Sequence, residues 1–537
     1  MSAAPTDERA EPGGSTIPRH AWLSLIAVVT GIFVVMIDGT VVAVANPTIA
    51  SDLHASPEGI QWVTNAYLLV LAGLTIPMGT LADKFGRKRL FLIGVGGFSL
   101  ASLLCGLAGS IWLLVAARAL QAVFGAMIGP AGIGVLRAAF PADKLSRALG
   151  IFGSISAIAT AGGPIAGGLL VEYASWPWVF FINLPFGVLG VSLGLAIIRE
   201  SSERIRQRLD LPGAVTLTLA MASLVWGITK AQDSGWTSTT TLVFIALGLV
   251  LLAAFAVIEL KVENPMVPLT LFRDRSLSIG VVLMIVVMFS MFSLMFFITF
   301  FLQGPQELTA VATGIALLPL SATSVVASPV SGWMTEKVGV RRTLVSGAVL
   351  LVIGLLLMQR IDAGSSVWEL VPTFVIGGFG IGFMMVAATQ AIVGNAPVDK
   401  AGVASGLQQS MTQLGGALGT SVLGGVMAAV VGSSFAGNLR GALGSDQAAE
   451  QLAAGLGKTV ELGFPPAARD TIAAGLTQTG APAAKADQIA GTISGIAHQT
   501  FMTGLHTVYW VGAAVAVLAG VLALFVRDSS PAAEVHD

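Results

Sequence analysis

Charge is scarce in this chain. Of its 537 residues only 11% are Asp, Glu, Lys or Arg, against roughly 25% in ordinary soluble domains. A soluble chain of this length would form several domains with charged surfaces, and the charges to cover them are missing. A net charge of −1 leaves no basic surface for nucleic acid. The 55% hydrophobic content excludes a disordered chain. The single cysteine, Cys105, rules out an internal disulfide framework and a thiolate metal cluster. Five histidines (His20, His54, His498, His506 and His536) lack ligand spacing, so no metal is expected. His506, near the start of the last expected helix, reads as a satisfied interface residue. The letters GLGKT at 455–459 are those of a phosphate loop, but the earlier glycine such a loop needs is Leu452. No nucleotide and no cofactor are therefore expected.

What the chain has in abundance is long apolar sequence. A helix needs ~20 apolar residues to cross the hydrocarbon core. Runs of that kind lie near 21–45, 60–82, 90–109, 111–136, 147–171, 178–198, 211–230, 240–260, 276–302, 311–334, 343–360, 367–393, 402–431 and 500–526. The period-two pattern of a membrane barrel strand is absent, so these are read as fourteen transmembrane helices of an all-α membrane protein. The first run is too long for a signal peptide and no small-residue cleavage site follows it. Residues 1–20 and 527–537 are expected to be polar tails.

Lysine and arginine orient the spans. With the N-terminus in the cytoplasm, 21 of the 28 basic residues fall in inside segments. Six fall outside: Lys230, Arg360, Arg440, Lys458, Arg469 and Lys485. Four of those six lie in the long stretch 432–499, where charge has little influence on topology. Both termini are expected in the cytoplasm, with the chain in the cytoplasmic (inner) membrane. The stretch 432–499 is expected to be an external loop, in which 466–477 and 482–497 could form amphipathic helices on the membrane surface.

The chain also repeats itself. GTLADKFGRKRL at 79–90 returns as GWMTEKVGVRRT at 332–343, with Gly79 on Gly332, Asp83 on Glu336, Gly86 on Gly339 and Lys88–Arg89 on Arg341–Arg342. The first copy follows the second span and the second follows the tenth. Two six-helix halves would put the second copy after the eighth, so two helices are inserted between the halves. The expected organisation is a first half at 21–199, an inserted pair at 211–260 and a second half at 276–526. Duplicated halves around a central site are the plan of many secondary transporters.

These motifs resemble those of the major facilitator superfamily, and in particular its fourteen-helix drug:proton antiporters. Residues 79–90 resemble the loop between helices 2 and 3 of that superfamily. Residues 37–50 (IDGTVVAVANPTIA), 61–90, Arg118–Ala119–Leu120–Gln121, AGGPIAGGLL at 161–170, WPWVFFINLPFG at 176–187 and 402–420 resemble further family patterns in the same order. The chain departs at Ala122, where the family usually has Gly, at Ala43, where it has Asn, and at Asn46, where it has Leu. The resemblance implies the major facilitator fold and export of hydrophobic, often cationic drugs in exchange for protons.

The residues support a physical reading beside the resemblance. Asp38 is the one carboxylate deep inside a predicted span, where an unpaired charge costs ~3 kcal/mol on insertion scales. Burial favours its protonated form, so it is a candidate proton or cation site. At ~1.5 Å per residue, Asp38 and Arg118 lie roughly 10–13 Å from the same membrane face, and they are expected in one layer facing a central cavity. Gly163 and Gly167 form a small-residue stripe, widened by Gly162 and Gly168, that lets helices approach closely; Pro164 removes a backbone donor there. Gly79, Asp83, Gly86, Arg87 and Lys88 are expected to act as a conformational latch, with Lys88 and Arg89 near anionic headgroups. Asn65, Gln121, Asn183, Gln303 and Gln390 are candidate cavity lining, as are Gln408, Gln409 and Gln413; bonding between helices would explain each equally. The Met and Phe residues from Met288 to Phe297 suit a soft binding surface, although lipid-facing packing is the favoured explanation for most.

The expected function is a proton-driven exporter acting as a monomer, with a small hydrophobic substrate and protons as its partners. Three alternatives stay open: an exporter of one natural product, a nutrient importer on the same fold, and a membrane receptor without transport.

Overall fold

The computed structural model describes residues 19–140, 142–200, 210–263, 265, 267–395, 401–443, 446–478 and 481–527. Each apolar run becomes a helix or a broken pair of helices. In chain order these are α1 (Arg19–Asp52), α2 (Pro57–Phe85), α3 (Arg87–Gly106), α4 (Ile111–Ala139), α5 (Ala142–Tyr173), α6 (Trp178–Phe181), α7 (Asn183–Ile197), α8 (Leu211–Ser234) and α9 (Thr239–Lys261). There follow α10 (Arg275–Gln303), α11 (Ala310–Ala316), α12 (Leu318–Val338), α13 (Val340–Leu357), α14 (Val367–Val393), α15 (Ala401–Leu443), α16 (Asp446–Glu461), α17 (Pro466–Gln478) and α18 (Ala483–Ala523). Among the described residues, eleven helices, taking α6–α7 and α11–α12 as one each, are long and apolar enough to cross a membrane. α2, α5 and α8 fall outside that set, α8 carrying a shorter apolar stretch at Pro212–Ile228. The protein is a multi-pass, all-helical membrane protein.

Helix starts are set by short polar side chains that accept an otherwise unpaired backbone N–H. Ser56 accepts from Gly59, Ser110 from Leu113, Asp210 from Gly213 and Asp274 from Leu277. Ser366 and Glu369 form a reciprocal capping box at α14. Prolines at 47, 77, 130, 164, 329 and 372 lie inside helices, as membrane helices tolerate where neighbours satisfy the freed carbonyl.

The internal repeat is visible in the backbone. α2 passes to α3 through Gly86, with φ 113°, and α12 passes to α13 through Gly339, with φ 93°. Both turns need a conformation that side chains rarely adopt. They lie at the same end of the bundle, called here the basic end because Lys84, Arg87, Lys88, Lys337, Arg341 and Arg342 cluster there.

Two groups of helices pack against each other. α1 packs on α5 and α7, and α4 on α2 and α3; in the second group α10 packs on α14 and α15, and α13 on α14 and α18. The groups meet along α2–α15 and α5–α11, with a smaller contact between α1 and α10. α8 lies against both α2 and α15, and α9 packs on α8. The α8–α2 contact is held by the Lys230–Glu58 ion pair at 2.9 Å and by the Trp62 and Trp226 rings, 5.0 Å apart.

Among its described residues the stretch 432–499 is largely helical, and the helix expected at 466–477 is α17 (Pro466–Gln478). α15 runs on to Leu443 and α18 starts at Ala483, so the region expected to form a surface helix at 482–497 is the first part of a continuous 41-residue helix. α16 and α17 pack between these extensions, with Arg440 bound to Glu450 at 2.6 Å and Arg469 to Asp487 at 2.8 Å. Phe464 is fully buried, and its carbonyl lies 3.0 Å from His498 Nε2. The GLGKT letters lie within α16, where a helix leaves no phosphate cradle. His506 lies in the middle of α18, with Nε2 2.8 Å from the Ile361 carbonyl.

Candidate functional site

Asp38 lies midway along α1 with a fully buried side chain. A carboxylate in such a place persists only when paired and hydrogen-bonded. Arg118 of α4 donates from Nη1 to Asp38 Oδ2 at 2.6 Å. Gln121, one turn further along α4, donates from Nε2 to Oδ1 at 3.0 Å, and Asn183 at the start of α7 donates to the same oxygen at 3.0 Å. Ser102 of α3 accepts from Gln121 at 2.7 Å and from Asn183 at 3.1 Å. Arg118 also donates to Gln121 Oε1 at 2.5 Å and, from Nε, to the Val63 carbonyl of α2 at 3.3 Å. Its guanidinium lies over the Tyr67 ring, 4.0 Å from the centroid. Five helices thus converge on one charge pair.

A cavity opens beside this cluster, between the two groups of helices. One wall is Gly39, Thr40, Val42, Ala43 and Asn46 of α1, with Thr64, Tyr67 and Leu68 of α2 and Arg118 of α4. The other is Met291, Phe292, Met295 and Phe296 of α10, with Thr420 of α15. Arg118 lines the cavity and Asp38 does not. On this wall Met295 and Phe296 are buried and Met291 and Phe292 half-buried, and the neighbouring Met288, Phe289 and Phe297 are buried too, so most of these residues are packed inside the protein rather than turned to lipid.

None of the five expected cavity amides is on this wall. Gln121 and Asn183 are spent on Asp38. Asn65 joins the two groups, donating to Ser421 at 2.8 Å and accepting from Thr420 at 2.7 Å. Gln303 donates to the Val44 carbonyl at 3.0 Å, tying α10 to α1. Gln390 is exposed at the basic end of α14. Of the three glutamines named beside them, Gln408 bonds along its own helix to Thr412 at 3.3 Å. Asn46, Tyr67, Thr64 and Thr420 take their place. They escape a sequence reading because residues of that polarity are ordinary within apolar helices; only Asn46 carries a signal, as a departure from the family pattern.

The small-residue stretch of α5 is a close-packing surface on two sides. A side chain at Gly163 would strike Thr40, and one at Gly167 would strike the Val41 backbone, both on α1. Gly168 abuts the Ala310 and Val311 backbone, and Pro164 and Ile165 abut Gly314, both on α11. Gly162 faces open space and takes no part in either contact. At the end of α5 opposite the basic end, Glu172 accepts from the Val311 N–H at 3.0 Å. The Thr309 side chain and that N–H hold the Glu172 carboxyl below the ordinary glutamate range.

At the basic end, the carboxylate of Glu200 sits under Gly86 and accepts from the backbone N–H of Lys88 at 3.1 Å and of Arg89 at 3.3 Å. An anion at a helix N-terminus satisfies donors that the helix leaves open. Lys88 Nζ donates to the Leu195 carbonyl at 2.9 Å in the last turn of α7. Arg87 is buried against Gly134 of α4, and Gly79 lies against Pro130 of the same helix. Lys88 and the Arg89 backbone are therefore bound to α7 and its continuation. The Asp83 side chain lies outside the described residues.

The family model of the Major Facilitator Superfamily matches residues 28–420. The tetracenomycin C resistance and export protein of Streptomyces glaucescens is 40% identical over 533 residues, covering 98% of this chain and 96% of that protein. The puromycin resistance protein pur8 of Streptomyces alboniger is 34% identical over 430 residues, covering 79% and 84%. The multidrug resistance protein Stp of Mycobacterium tuberculosis (strain CDC 1551 / Oshkosh) is 35% identical over 426 residues, covering 79% of each chain. Among solved structures, an inward-facing bacterial homologue of the human lysosomal transporter spinster superposes with a TM-score of 0.60 at 16% identity, covering 96% of this chain and all of that one.

Proposed function

The chain belongs to the major facilitator superfamily, and on that premise we propose that it exports hydrophobic antibiotic-like compounds across the cytoplasmic membrane in exchange for protons. The observation that carries the reading is the buried Asp38–Arg118 pair, whose arginine alone reaches the cavity. While Asp38 is ionised, the pair is neutral as a whole and Arg118 is held back against α1 and α4. A proton on Asp38 discharges its side of the pair. Arg118 cannot deprotonate, so it is left as an uncompensated charge at the cavity, a costly state in a low-dielectric interior. Substrate departure and reorientation of the two halves relieve that state. Proton and substrate thus compete through Arg118 rather than by direct contact with the carboxylate.

Several elements belong to the same proposal. The first half is 21–199, the inserted pair 211–260 and the second half 276–526. α2, α5 and α8 complete fourteen spans, both termini face the cytoplasm and the unit is a monomer. The α5–α11 contact is the outer gate and the Gly79–Lys88 segment is the inner latch. The drug class and outward direction draw support from the names of the relatives. The dedicated-exporter reading has one observation on its side: the relative matching 98% of the chain is named for a single compound.

The test is gradient-driven flux in reconstituted vesicles, comparing wild type with Asp38→Asn across a panel of compounds. Proton-driven uptake abolished by the substitution supports the proposal. Uptake that survives it would move coupling to another residue, and uptake of one compound alone would favour the dedicated exporter.

A further inference from the structure

The coupling proposed above needs a proton to reach Asp38, which is fully buried and does not line the cavity. From the cavity the way runs past Arg118, a fixed positive charge that repels an incoming proton. The groups bonded to the carboxylate cannot supply one. They are the Arg118 guanidinium and the Gln121 and Asn183 amides, which donate N–H bonds without giving up the proton. Among the described residues, Arg118 of α4, Tyr67 of α2 and Cys105 of α3 are the charged or titratable side chains that interact with Asp38. α6 and α7 carry none, and α10 carries only Arg275, its first residue. Protonation therefore needs a water to replace one of the three donors.

Asn183 is the donor placed to give way. It follows directly on α6, the four-residue helix that packs on α3, α5 and α1 at the end opposite the basic end. Pro185 lacks the N–H that would bond the Phe181 carbonyl, and the helix is broken between α6 and α7 there. α6 has two faces. Trp178 is exposed, whereas Val179 and Phe180 are fully buried, with the Phe180 ring 5.7 Å from the Arg118 guanidinium. Phe181 covers Gly106, the last residue of α3. One turn back along α3, Ser102 accepts from both Gln121 and Asn183. Phe180 and Phe181 thus stand between the polar cluster and the exposed face of α6. The segment is pinned to the end of α1 by Trp176, whose Nε1–H donates to Asp52 Oδ2 at 2.6 Å. Behind the rings, Asn183 Oδ1 is buried without a hydrogen-bond partner, an acceptor that an arriving water would satisfy.

We propose that the segment 176–183 is a proton port: water from the outer face reaches Asp38 past Phe180 and Phe181 when Trp176 releases Asp52, by a route separate from the substrate cavity. Lifting α6 draws Asn183 off Asp38 Oδ1, and the water that takes its place bonds Asn183 Oδ1. A hydronium ion there gives one proton to the carboxylate, leaving neutral water and a neutral carboxyl group. Proton and substrate then approach the Asp38–Arg118 pair from different sides. The inference rests on Asp38 being the coupling carboxylate.

The experiment follows Asp38 itself, through the infrared band of its protonated carboxyl group, in the full chain in lipid nanodiscs after a rapid drop in pH. The band is identified as the one missing from Asp38→Asn. Trp176→Phe keeps an aromatic ring and removes the bond to Asp52, and Asp52→Ala removes the same bond from the other side. Each should speed the appearance of the band about tenfold, the worth of one hydrogen bond to a charged group. The double variant should be no faster than either single one. Ala43→Leu, which narrows the cavity, should leave the rate within about twofold of wild type. A rate slowed by Ala43→Leu and unmoved by the other two would overturn the port and route the proton through the cavity. Additive gains in the double variant would mean general loosening and would also overturn it. An unchanged rate in all the variants overturns the port alone, whereas an Asp38 that takes no proton down to denaturation sinks the coupling reading and the port with it.

Discussion

Arg118 Nη1 stands 2.6 Å from Asp38 Oδ2, and of the two residues only Arg118 reaches the cavity. The pair is therefore an internal salt bridge with one face available to a ligand. Removing one partner of such a pair costs about 3–5 kcal/mol, because the other charge stays buried and unpaired. Asp38→Asn and Arg118→Gln should each lower the thermal midpoint in detergent. The double variant should be more stable than the sum of the two losses implies, with a coupling of about 1–3 kcal/mol. Additive losses would show that the two charges do not stabilise one another.

The glycines of α5 make contrasting demands. Gly168 abuts the α11 backbone and Gly162 faces open space. Gly168→Leu should wedge α5 from α11 and reduce vesicle flux at least about tenfold, as a small misplacement at a distance can do. Gly162→Leu should leave flux within about twofold of wild type, as surface changes usually do. Equal losses from both would mean that α5 is sensitive to bulk in general and that the α11 contact has no special role.

Glu172 should make the α5–α11 contact pH-dependent. Its carboxyl is held below the usual range by Thr309 and the Val311 N–H, which favour the charged form. The contact is therefore at full strength above the ordinary glutamate pKa and is lost as pH falls through the lowered value. Spin labels near the ends of α5 and α11 should move apart as the solution is acidified through that value. With Glu172→Gln the distance should lie nearer the acid limit at every pH. A wild-type distance that stays constant down to denaturation would contradict this.

Gly86 holds a φ of 113° over the Glu200 carboxylate. Gly86→Ala should cost about 1–3 kcal/mol from backbone strain and also displace the carboxylate that caps α3. Gly79→Ala meets Pro130 at 3.3 Å in an ordinary helix and should cost less than about 1 kcal/mol. Thermal midpoints of the two variants decide the point, and a Gly86→Ala protein as stable as Gly79→Ala would show that the turn is not strained.

Much of the architecture was legible because a membrane imposes one rule on every span. Apolar length marks each helix, and all fourteen expected runs coincide with a helix or a broken pair. The repeat was legible because Gly86 and Gly339 serve the same backbone need. In the stretch 432–499 the helix at 466–477 was legible, whereas the extension of the neighbouring helices into it was not, because residues such as Phe435, Val460, Phe464 and Ile493 are buried only by packing between segments far apart in sequence. The Met and Phe residues of α10 were misjudged for a related reason. In a membrane helix the lipid face and the packed face are both apolar, so composition cannot separate them.

By itself, the sequence determined that the chain lives in a bilayer, that it is duplicated, and that Asp38 and Arg118 must be reconciled with burial. Those conclusions follow from local composition and from the cost of charge in hydrocarbon. Only the tertiary structure decided which polar groups are spent and which remain available. It assigned Gln121 and Asn183 to Asp38 and Asn65 to the α2–α15 seam, and it left Asn46 Oδ1 and the Tyr67 hydroxyl without a hydrogen-bond partner. The physical reason is that hydrogen bonding between helices depends on their rotation and depth relative to one another. Those are set by the packing of all their neighbours at once, and no single segment encodes them.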